Sequence, residues 1–284
     1  MRNLKLLTVL AVAIASTGCL RMTYALNLKP DGSGTIVQTL AMSKASVQQL
    51  TAVLGSALGL EGSPPAADAS TAGSPFPKPE QLKAQAAALG DGVRFVSATP
   101  FPDGTFEGQT VTYAFDDVRK LKLNMATMLA GGMSGKTTGA PDPAADLAVT
   151  LTRAGDRSTL VLKMPKIPEP DAAQKAQAEE AIKKSGVDPA SVPPEVEAMM
   201  KKMMEGLFIE AAINIDGSIV TTNAPFVQGT KITLLQFDWT EMAKSGRSMG
   251  DLMKMQPGGD IQQMLTRIPG MKVALLPEIR IEFR

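Results

Sequence analysis

This chain of 284 residues has no histidine, one cysteine, one tryptophan and two tyrosines. Without histidine there is no Ser-His-Asp or Cys-His catalysis and no imidazole ligand for zinc, copper or iron. A single cysteine, Cys19, makes no intrachain disulfide and holds no iron–sulfur cluster. Catalysis is left with a carboxylate, a Ser-Lys pair or a tyrosine, so no enzymatic activity, cofactor or metal site is expected. No apolar run reaches the roughly 20 residues that cross a bilayer as a helix.

Apolar residues make up 44% of the chain, and the mean hydropathy is +0.03. That is enough to bury a core and too much for wholesale disorder. Charge is close to balanced, with 29 basic and 28 acidic residues. Nucleic-acid binding, which needs clustered Lys and Arg, is not expected.

The N-terminus carries an address. Arg2 and Lys5 precede a short apolar run, Leu6 to Ala15, which closes on Ser16-Thr17-Gly18-Cys19. The run has the length of a secretory signal core rather than of a membrane span. It resembles the lipobox of bacterial lipoproteins, which implies a signal peptide over 1–18, cleavage before Cys19 and acylation of its sulfur. Removing Arg2 and Lys5 leaves 27 basic against 28 acidic residues, so no polybasic patch assists attachment. Acyl chains would hold the protein at the membrane by themselves, at about 0.8 kcal/mol per buried methylene. Leu20 is not the aspartate associated with inner-membrane retention in some diderm bacteria. An outer-membrane, periplasm-facing location is therefore expected where the envelope has two membranes.

Beyond Cys19, alternating strand patterns come in pairs around turns. Tyr24–Lys29 and Thr35–Met42 flank Pro30-Asp31-Gly32-Ser33-Gly34, a hairpin signal because glycine accepts positive φ. Gly92–Thr99 pairs with Thr105–Phe115 around Pro102-Asp103-Gly104, and Asp146–Thr152 with Ser158–Met164 around Ala154-Gly155-Asp156. Asp216-Gly217 is expected to turn a further hairpin, from Leu207–Ile215 into Ser218–Thr222. Helical spacing follows Ser43, runs from Glu80 to Leu89 before Gly90, and follows Asp116-Asp117 through Val118, Leu121, Leu123, Met125, Met128 and Leu129. A Met-rich helix is expected between Pro193 and Gly206. Ser-, Pro-, Ala- and Gly-rich stretches near 61–77 and 131–144 read as flexible insertions.

The fold class expected is therefore α+β, antiparallel hairpins packed against helices, forming one extracytoplasmic domain over 19–284. Phe106–Asp116 echoes Val227–Asp238, since each joins a Gly turn, a Thr-bearing strand and a Phe-Asp step into a helix. The echo leaves open two related halves or convergence on the same strand-to-cap chemistry.

Three stretches carry a resemblance: Leu26–Thr35, Tyr113–Asp117, and the C-terminal half through Ile213–Ser218, Phe237-Asp238-Trp239 and Ile268–Val273. Together they resemble the poorly characterised bacterial lipoproteins with LppM-like domains. That resemblance implies an extracytoplasmic α+β domain and, in one branch, binding of amphipathic envelope lipids. No functional residue transfers through it.

Candidate sites are few. Ala130–Thr137 fits a loose phosphate-loop pattern, but an amphipathic helix precedes it and Pro141 and Pro143 follow, so the match is read as coincidence. Asp116-Asp117 reads as capping and Glu179-Glu180 as a solvated helix face. Met199, Met200, Met203 and Met204 share one broad helix face opposite Lys201, Lys202 and Glu205. Such a stripe is ordinary core or an adaptable apolar surface. The expected role is a membrane-anchored lipoprotein binding an amphipathic or apolar envelope component there, with a structural adaptor that binds a partner protein as the alternative.

Overall fold

The computed structural model describes residues 20–44, 46–47, 76–124, 146–164, 204–245 and 268–284. Two β-sheets dominate them. The larger is built from β1 (Leu20–Leu28), β2 (Gly34–Ser43), β3 (Arg94–Pro100), β4 (Phe106–Phe115), β7 (Phe208–Ile215), β9 (Val227–Gln228), β10 (Lys231–Asp238) and β11 (Met271–Val273). Its order is β11-β10-β7-β1-β2-β4-β3, with β9 also paired to β10. The smaller sheet runs β5-β6-β12-β8, from β5 (Ala148–Ala154), β6 (Arg157–Lys163), β8 (Ile219–Thr222) and β12 (Glu278–Phe283).

Period-two alternation gives each sheet one apolar face. Tyr24, Leu26 and Leu28 of β1, Ile36 of β2, Ile213 and Ile215 of β7 and Ile232 of β10 are buried on the inner face of the large sheet. Leu160 and Leu162 of β6 and Ile279, Ile281 and Phe283 of β12 are buried in the same cluster, so the small sheet covers this surface. The outer face of the large sheet is polar and small, with Thr23, Asn27, Thr35, Thr112 and Asn214 partly exposed.

The helix-packed α+β expectation is thus corrected. Two α-helices lie wholly within the described residues, α1 (Pro79–Leu89) and α2 (Trp239–Lys244), beside the 3-10 turn Val118–Lys120. Among the described residues a second sheet, with α1 beside it, packs on the inner face in place of a helical layer. Apolar strand faces bury each other as readily as they bury helices, and alternation within a strand does not say which partner arrives.

The three earlier hairpins form as adjacent antiparallel pairs, β1–β2, β3–β4 and β5–β6. Asp216-Gly217 does not turn a hairpin: β8 leaves β7 and joins β12 in the other sheet. β7 instead pairs in parallel with β1, and Asp216 donates its N–H to the Leu28 carbonyl at 2.8 Å. A Cβ at Gly217 would strike the Arg284 carbonyl, so the crossing needs glycine for close approach. The echoing strands hold matching ranks in the large sheet, β10 and β4 each lying two strands from β1 on opposite sides of it.

The helix expected after Asp117 is also corrected between 118 and 124. Asp117 caps a single 3-10 turn by accepting from the Arg119 N–H at 3.0 Å. The chain then extends, with Lys122 donating to the Leu89 carbonyl at 2.9 Å and the Leu123 carbonyl accepting from Leu147 at 2.7 Å. These long-range partners satisfy the backbone that a helix would have paired locally. α1 matches expectation, and Leu82, Ala86 and Leu89 bury its inner side.

Candidate functional site

The inner face of the large sheet carries three buried polar side chains in an apolar field: Tyr24, Gln38 and Tyr113. Register places them together. Tyr24 opposes Gln38 across β1–β2, Gln38 opposes Val111 across β2–β4, and Tyr113 lies two residues beyond Val111. All three are buried, and the two tyrosines are the whole tyrosine complement of the chain. Among the described residues the Tyr113 hydroxyl finds no hydrogen-bond partner. Its ring meets Phe95 edge-on, with centroids 6.1 Å apart.

Leaving a buried hydroxyl unpaired costs about 1–3 kcal/mol. Burial pushes the Tyr113 phenol up to about 12 and raises Tyr24 as well. Both stay neutral donors at any physiological pH. A neutral phenol within an apolar wall can hydrogen-bond one oxygen of an otherwise greasy molecule. Strand alternation alone does not single out this trio. Its signal is a polar residue at the apolar phase of a strand, as in Met22-x-Tyr24-x-Leu26 and Val111-x-Tyr113-x-Phe115.

The predicted methionine face is only partly in view. Met199, Met200 and Met203 lie outside the described residues, whereas Met204 is half-buried in a second, smaller apolar cluster. There it packs with Leu207 and Phe237 against Trp239, Met242 and Ile268. Asp238 starts α2 by accepting the Glu241 N–H at 3.2 Å, which holds Trp239 and Met242 inward. This cluster sits at the end of β10, four strands from β4, so Met204 and Tyr113 belong to separate places.

The remaining candidates divide simply. Asp116 pairs with Arg94 at 3.0 Å and Asp117 with Arg119 at 2.7 Å, both near the surface. Cys19, the phosphate-loop lookalike, Glu179-Glu180 and the 131–144 insertion lie outside the described residues, as does 61–75 of the other insertion. Among the described residues no three acidic or cysteine side chains converge as a metal site. Nor is any helix among them long and apolar enough to cross a membrane.

The class defined is a two-sheet β protein with an apolar interior and one uncompensated buried phenol. No protein-family model matches the chain, and no curated protein matches it. Among solved structures it is similar to the NMR structure of the folded domain of the Mycobacterium tuberculosis LppM protein. That match is 12% identical, covers 94% of this chain and 91% of the other, and has a TM-score of 0.30. The neighbour bears the name that the Pro-Asp-Gly hairpin resemblance bears. At this TM-score no site residue or ligand passes from one to the other.

Proposed function

We propose that this protein is a non-enzymatic envelope lipoprotein, tethered through acyl chains on Cys19, that binds an amphipathic envelope component. The observation that carries the binding reading is the unpaired Tyr113 hydroxyl beside Tyr24 and Gln38 on an apolar face. These side chains lie in the core between the two sheets, so an amphipathic molecule would reach the phenol only where the sheets part, its hydrocarbon on the surrounding aliphatic side chains and one oxygen at the hydroxyl. The lipobox-like Ser16-Thr17-Gly18-Cys19 supports the tether, and an acylated protein works within reach of lipids.

Tyr113→Phe separates a ligand contact from idle strain. In the full-length protein the change should leave the melting temperature equal or higher, because a same-shaped ring removes the unpaired hydroxyl. Affinity for a fluorescent lipid probe bearing a polar headgroup should fall about three- to tenfold, the worth of one neutral hydrogen bond. Unchanged probe affinity would remove Tyr113 from the site.

The adaptor reading has one observation in its favour. The large apolar side chains exposed among the described residues, Val96, Val220 and Val227, all lie on edge strands (β3, β8 and β9). Edge strands accept further strands from partner proteins. A protein partner lost on Val96→Lys, with no lipid bound by the wild type, would put this reading first.

A further inference from the structure

The end of the large sheet where β1 begins differs from the rest of its outer face. Elsewhere that face is mostly threonine, asparagine and alanine, with Val37 and the Glu210–Lys231 pair, and it carries no aromatic ring among the described residues; here Arg21, Phe106 and Phe208 come together. Arg21 pairs with Phe208 in the β1–β7 register, and Ser43 with Phe106 in the β2–β4 register. The Arg21 guanidinium carbon stands 5.5 Å from the Phe208 ring centroid and 6.0 Å from that of Phe106. Phe101 meets Phe106 edge-on at 5.9 Å. All three rings are part-exposed and Arg21 is exposed. On the opposite face of the same end, Phe237 lies 6.3 Å from Trp239.

We propose that this aromatic rim rests on the phospholipid bilayer that receives the Cys19 acyl chains. The proposal relies on that acylation. Cys19 immediately precedes Leu20, which is already paired with Met42 in the sheet. Two extended residues span about 7 Å, so the acylated sulfur has no linker with which to stand away from Arg21. Part-exposed rings beside a snorkelling cation suit the boundary between headgroups and acyl chains. Charge at this end is not one-sided, since Arg21 acts on the exposed Asp103 carboxylate and Glu210, two residues on from Phe208, pairs with Lys231 at 2.7 Å. Ring insertion, not attraction to anionic lipid, therefore drives docking, and the contact is insensitive to salt.

The test uses acylated full-length protein in phosphatidylethanolamine–phosphatidylglycerol vesicles whose chains are brominated near the headgroups. Phe106→Trp and Phe101→Trp report on the rim. Val227→Trp is the control, at the level of Leu26 through Ile232 and Ile213 and so about 17 Å further along the strands. Quenching above the wild-type Trp239 background should be several-fold stronger for both rim positions than for Val227→Trp. Equal quenching at rim and control, on protein whose Cys19 is acylated by mass spectrometry, overturns the docking surface. An unmodified Cys19 overturns the tether instead, and the proposal falls with it.

Discussion

The Ser158 hydroxyl donates to the Pro30 carbonyl at 2.6 Å, joining residues 128 positions apart in the chain. This bond ties the small sheet to the β1–β2 turn, since Ser158 is buried on β6 opposite Phe283 of β12. Val118 donates to the Gly32 carbonyl at 2.9 Å in the same turn. The Pro-Asp-Gly turn is therefore a clamp between layers as well as a local reversal.

Ser158→Ala should destabilise the protein by about 1–3 kcal/mol, because it strands the Pro30 carbonyl at a buried contact. Urea unfolding checks it, with the slope expected to be unchanged. A shift in midpoint below measurement error would mean that the two layers hold together without this bond.

Gly32→Ala and Gly92→Ala make an informative pair. Both glycines have positive φ, +88° and +80°, so each alanine brings a left-handed strain of about 1–2 kcal/mol. A Cβ at Gly32 would lie 2.6 Å from a Leu151 methyl, whereas one at Gly92 meets nothing within 4 Å. Gly32→Ala should cost more. Equal thermal shifts would show that Leu151 moves aside freely.

Side-chain amides bridge three strands on the outer face. Asn214 donates to Asn27 at 2.8 Å, and Asn27 donates to Thr35 at 3.0 Å, linking β7, β1 and β2. Asn27→Ala removes both bonds and should cost about 1 kcal/mol at this part-exposed site. With Asn214→Ala the effects should be less than additive in a double-mutant cycle. Full additivity would mean that the two amides act independently.

Acid should unfold the protein through its capping carboxylates. Asp31 is held below the usual carboxylate range, first by the Ser33 hydroxyl and then by its N–H; Asp117 is lowered first by the Arg119 side chain. Their ionised forms are favoured by folding, so this stabilisation is complete above the unfolded value near pH 4 and is lost as pH falls through the lower folded values. Asp31→Asn and Asp117→Asn should flatten the decline in melting temperature below about pH 4. There is no histidine to add a step near pH 6.5. A decline of the same steepness in both variants would assign acid sensitivity to other carboxylates.

Local chemistry was legible in the residues themselves. Asp31 and Gly32 specify their turn whatever surrounds it, because a side-chain acceptor two residues from an N–H and a glycine at positive φ act at short range. The same holds for α1 and for the capping aspartates Asp117 and Asp238. Absent histidine and a single cysteine bounded the chemistry without any fold.

Partnership was decided only in three dimensions. Alternation in β8 marks a strand but not whether it returns along β7 or crosses to β12, and Gly217 permits the crossing. The parallel join of β1 to β7 brings together residues nearly 190 positions apart, beyond the reach of any local signal. The tyrosine trio depends on long-range pairing as well: the β1–β2 hairpin sets Tyr24 against Gln38, and the β2–β4 join brings Tyr113 alongside. A residue's period shows that it faces inward; what waits there is set by the chain that folds over it.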